Sequence, residues 1–149
     1  MYGDTSVMRR RAGELRDQGA DIAMTADHLL AQSDAITWSG RAADAMRARV
    51  RERATHLREA ADLHDTAAES LARHLGEVDR LKESIAGVEQ RAESLVADAR
   101  TRLARLEAEA SSDPGGVRVS PSEADETLAA FTPPKPGHKD WLTVNLPGL

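Results

Sequence analysis

Cysteine is absent from this chain, and aromatic residues nearly so: one phenylalanine, one tyrosine and two tryptophans among 149 residues. Without cysteine there is no disulfide framework and no thiolate chemistry. Apolar residues make up 40% of the chain and are largely alanine. Such a chain can line a seam between helices but can hardly fill a large interior. No run of about 18 apolar residues occurs, so no membrane span is expected. The opening MYGDTSVMRRR is not followed by a hydrophobic region and does not fit a general secretory signal peptide. A net charge of −5 argues against nucleic acid as the main partner.

Alanine, leucine, arginine and glutamate abound instead, and they point to long helices. The first helical segment is expected from about Thr5 to Ser33, with Thr5 or Ser6 as its cap. Met8, Leu15, Ile22, Leu29 and Ile36 recur every seven residues, and Ile36 falls just past the helix end. Ala12, Gly19, Ala26 and Ser33 follow each large residue by four. Large and small residues thus alternate along one stripe, and the small ones allow a neighbouring helix to approach closely. The second segment starts after Gly40 and is expected to run to about Ala110. Its stripe comprises Ala43, Val50, Leu57, His64, Leu71, Val78, Ile85, Ala92, Ala99 and Leu106, flanked by Met46, Ala54, Ala61, Ala68, Leu75 and their successors. No proline interrupts it. Unbroken, it would extend roughly 100 Å at about 1.5 Å per residue, and Gly76 and Gly87 are the candidate breaks.

The fold expected is all-α: an antiparallel helical hairpin with a long second helix, paired into a four-helix bundle. The first helix covers the second only to about Leu71 or Leu75. The apolar positions beyond must bury against a partner chain or against the same helix folded back at a glycine. The helix-pairing seam is therefore assigned to Leu15, Ile22, Leu29, Ile36, Met46, Val50, Leu57, His64, Leu71 and Val78.

From Ser111 the composition shifts, dividing a helical domain at 1–110 from a Pro/Gly-rich tail at 111–149. SSDPGG stops the helix. SPSEADETLAAF predicts a short helix at 121–131, with Ser120 as cap, Pro121 first and Glu123 completing a capping box. TPPKPGHKD reads as an extended linker. In DWLTVNLPGL, Trp141, Leu142, Val144 and Leu146 either dock on a groove or belong to a flexible terminus.

Catalytic constellations are missing. His28, His56, His64, His74 and His138 form no i, i+4 pair and no H-E-x-x-H. His64 lies between Leu57 and Leu71 as a polar seam residue that sets register, and its protonation would place a charge in the seam. Glu52, Glu59, Asp62 and Glu69 are spaced as on an exposed helix face. No Gly-rich phosphate loop and no G-x-S-x-G elbow is present. No catalytic residue, metal ligand or cofactor is assigned, and an enzyme is not expected. Arg41, Arg47, Arg49, Arg51, Arg53 and Arg58, against Asp44 and Glu52, form either a solvated face or a docking patch for an acidic partner.

The break between the helices carries the one distinctive motif, AITWSGRAADAM at 35–46, with Trp38 two residues before Gly40. WSGRAADAMRARV, followed by HLREAADLHDTAAESLARHL, resembles the WXG-type substrates of actinobacterial type VII (ESX) secretion. The resemblance is closest to the secretion-signal domain of large polymorphic toxins. There W-x-G-x-A-A-x-A-F precedes A-A-D-x-H-x-x-A-A-x-x-L-x-x-Y. Here Met46 replaces the phenylalanine and His74 the tyrosine. The resemblance covers approximately residues 5–108 and not the tail. It implies a helical hairpin with Trp-x-Gly in the turn, the tryptophan over the end of the bundle, and Trp38 and Gly40 as the functional residues. It also implies a type VII secretion substrate, targeting subunit or partner, secreted or held at the cell surface and cytoplasmic before export. The partner would be another such hairpin or a second copy, with a secretion ATPase or a co-encoded toxin beyond it. The family's Tyr-x-x-x-Asp/Glu export signal after the second helix is not found; Tyr2 is the sole tyrosine, and YGDTS does not fit it. The alternative is an intracellular coiled-coil scaffold unrelated to secretion.

Overall fold

The computed structural model describes residues 5–113 and 115–149; Tyr2 lies outside them. The fold is all-helical, with no strand among the described residues. Helix α1 spans Thr5–Ala35, α2 spans Arg41–Ser112 and α3 spans Glu123–Ala129, followed by a 3-10 turn at Lys139–Thr143. Thr5 and Ser6 already lie within α1, so neither is its cap. Helix α2 is assigned as one helix through both Gly76 and Gly87. A Cβ added at either glycine would meet nothing within 4 Å, so no close approach of backbone demands them. The described residues divide into two compact units, with the division between Val78 and Asp79.

In the first unit α1 lies against the beginning of α2. The residues that vanish from solvent are the small ones: Ala12, Gly19, Ala26 and Ser33 on α1, and Ala43, Ala54, Ala61 and Ala68 on α2. A Cβ added to Gly19 would stand 3.2 Å from the Ala61 carbonyl oxygen and 3.3 Å from the His64 Cβ. Farther along, Asp27 pairs with Arg58 at 2.6 Å, so later residues of α1 meet earlier residues of α2. Residues of this size let two backbones come close enough for dispersion contacts along their whole shared length. The large residues assigned to the seam lie beside that line of contact. Leu15, Ile22, Leu29, Met46, Val50, Leu57, His64, Leu71 and Val78 are all half-buried, and Ile36 is exposed.

The second unit is built on the later part of α2, and here the structure departs from expectation. The chain's own tail, and not a folded-back part of the same helix, covers α2 from Ile85 onward, while Leu81 stays 44% exposed. Ile85, Ala92, Val96 and Ala99 of α2 form one core with Leu128, Trp141 and Leu146, with Val88, Leu95, Phe131, Val144 and Leu149 packed around it. Trp141 is the largest side chain fully buried in the protein, whereas Leu142 is exposed. The Trp141 ring stands 6.1 Å from that of Phe131, tilted by 60°, in the edge-on range favoured by aromatic pairs. Its indole Nε1 donates to the Lys135 carbonyl at 3.1 Å. The amide of Gly137 donates to Glu89 on α2.

Helix α3 is capped by Ser122 rather than Ser120, and so begins later than expected. The Ser122 hydroxyl accepts from the Asp125 amide at 3.0 Å. Asp125, in the first turn, meets α2, where Arg102 Nε donates to it at 3.0 Å. Both serines can cap by residue type.

Candidate functional site

Residues 36–40, between α1 and α2, form the candidate site. Helix α1 ends at Ala35, and residues 36–39 have no regular structure. Gly40 has φ +106°, a backbone conformation that side-chain-bearing residues rarely adopt. Its carbonyl accepts the Asp44 amide at 3.0 Å, opening the first turn of α2. Trp38 is 51% exposed, so the indole does not close over a core in this chain.

Arg47, in the second turn of α2, reaches back over the link. Its Nη2 donates to the carbonyl of Ile36 at 2.9 Å and to that of Trp38 at 2.7 Å. Its Nη1 stands 3.5 Å from Asp44. The guanidinium fork suits this task, because several N–H groups diverge from one rigid plane. Arg47 belongs neither to a solvated face nor to an open docking patch, being largely covered at 21% side-chain exposure. Nothing in its spacing from Trp38 distinguishes it from Arg49 or Arg51, so no sequence signal would have singled it out.

Six of the assigned seam residues fall on one side of the contact line. Leu15, Ile22 and Leu29 each follow a buried small residue of α1 by three positions, and Leu57, His64 and Leu71 follow Ala54, Ala61 and Ala68 by three. A step of three rotates each row by about 60° from the contact line in the same sense. Because the helices meet in opposite chain order, both rows emerge on the same side. On the other side stands the Asp27–Arg58 pair. One side of the unit is thus a half-covered apolar face; the other carries the ion pair together with half-buried Leu30 and Ala72. Within the apolar face, His64 Nδ1 lies 2.9 Å from the Ala60 carbonyl oxygen.

Trp141 and Leu142 separate: the first belongs to the core of the second unit and the second to its surface. Among the described residues, no group of three or more His, Asp or Glu side chains is placed to hold a metal ion. No helix among them is long and apolar enough to cross a membrane.

No family model, curated protein or solved structure matches this chain.

Proposed function

We propose that this chain acts in type VII (ESX) secretion, as a substrate, targeting subunit or partner that works through helix–helix pairing. In this reading α1 and the start of α2 are a WXG-type helical hairpin, and Trp38 and Gly40 are its turn. The observation that carries the reading is the exposure of Trp38. A large indole at the bend, 51% open to solvent, is an anchor available to a second molecule; a tryptophan serving only its own core would be covered.

The apolar face supports the pairing. Leu15, Ile22, Leu29, Leu57 and Leu71 keep part of their surface in water. A second hairpin laid on that face would complete a four-helix bundle. Its occupant is another WXG-type chain or a second copy, and the cargo is a co-encoded toxin. The chain resides in the cytoplasm before export and outside the cell or at its surface after it.

Trp38→Ala in the full-length chain tests the reading. Export into the medium, followed by immunoblot, is expected to stop, while helicity by circular dichroism and the oligomeric state by light scattering stay as they were. Undiminished export of Trp38→Ala refutes the proposal. A loss of stability with export intact returns the chain to the coiled-coil scaffold.

A further inference from the structure

The link at 36–40 is held from two ends. At one end Gly40 takes its positive φ and hands its carbonyl to Asp44. At the other, a single Arg47 side chain ties down the carbonyls of Ile36 and Trp38. Those carbonyls lie just beyond the last turn of α1, where unpaired carbonyls accumulate partial negative charge, and a cation is favoured there. Arg47 Nη1 also stands 3.5 Å from Asp44. The backbone of Trp38 is therefore restrained while its side chain stays open to solvent. A side chain whose backbone is already ordered loses less freedom on docking than one on a loose link.

We infer that Arg47 is a positioning residue, whose role is to present the exposed Trp38 ring to the surface it docks on. Its relevance to export rests on the reading of Trp38 given above. The restraint of Trp38 by Arg47 does not.

The test uses the full chain with Trp141→Phe, which leaves Trp38 as the sole tryptophan. In this background, time-resolved fluorescence anisotropy reads the local motion of Trp38. Arg47→Ala is expected to increase the amplitude of the fast component while helicity is retained. Arg47→Lys, which brings one ammonium in place of a fork, is expected to fall between the two. The same variants are then followed in export. Loss of two charge-assisted hydrogen bonds is expected to lower export by about tenfold. Unchanged anisotropy in Arg47→Ala overturns the inference. So does normal export of Arg47→Ala when Trp38→Ala is not exported. If Trp38→Ala is exported normally while Arg47→Ala loosens the indole, the secretion reading fails and the positioning of Trp38 stands.

Discussion

Replacing Gly19 with alanine sets two effects of similar size against each other. Within a helix, Gly→Ala is favourable by about 1 kcal/mol, because glycine loses more backbone freedom on folding. At Gly13, where an added Cβ meets nothing within 4 Å, that gain should appear nearly whole, raising the midpoint by about 2–4 °C for a chain of this length. At Gly19 the same Cβ arrives 3.2 Å from the Ala61 carbonyl oxygen and 3.2 Å from Asp65 Oδ1. The Asp65 side chain can swing away. The Ala61 carbonyl is backbone and can yield only if α1 and α2 move apart by a few tenths of an ångström. That movement loosens every contact of the line through Ala12, Ala26, Ala54 and Ala68. Overpacking of this kind costs about 1–3 kcal/mol, which cancels or exceeds the gain. Gly19→Ala should therefore be neutral to destabilising by up to about 2 kcal/mol, and less stable than Gly13→Ala by about 1–3 kcal/mol. Urea unfolding of the full chain, followed at 222 nm, compares the two. If Gly19→Ala stabilises as much as Gly13→Ala, the helices do not approach as closely as the contact distances require, and the account of the small-residue line is wrong.

Two further predictions concern the tail. Trp141→Ala removes the largest fully buried side chain, a loss of about 3–5 kcal/mol for such a truncation; the tail should detach and limited proteolysis should cut after α2, whereas continued protection would show that Trp141 is not its anchor. Acid should release the tail as well. The hydrogen bond from Arg102, foremost, holds the Asp125 carboxyl below its ordinary value of 3.8, with the Ser122 contact assisting and burial opposing. The folded form thus binds fewer protons than the unfolded one, so the stabilisation is complete above the ordinary value and is lost as pH falls through the lowered one. Trp141 emission in a Trp38→Phe background should shift to the red on acidification, and Asp125→Asn should remove that step; an identical acid curve in Asp125→Asn refutes the assignment.

The periodicity of seven announced α1 and α2 and the break between them, because helix formation depends on local preference and on a regular apolar row. Which members of that row would be buried was less legible. Leucines and isoleucines carry the larger apolar area, yet the line of closest contact belongs to alanine, glycine and serine. Two backbones can approach only where side chains are short, so the large residues are displaced to the flank. The tail was harder still. WLTVNL has no helical or strand period to read, and Trp141 gains its place from Phe131, Leu128 and Val96, residues brought to it only by the return of the chain.

By itself, the order of residues determined that this protein would be helical, where its two long helices stop, and that a tryptophan and a glycine would stand at their junction. Those outcomes follow from interactions between near neighbours along the chain. Only tertiary structure decided that Arg47 would hold the junction, that Trp38 would remain in solvent while Trp141 would not, and that the tail would cover the far part of α2. Each of these depends on groups well separated in the chain, such as Lys135 and Trp141 or Ile85 and Leu146, and their meeting is set by packing rather than by local preference.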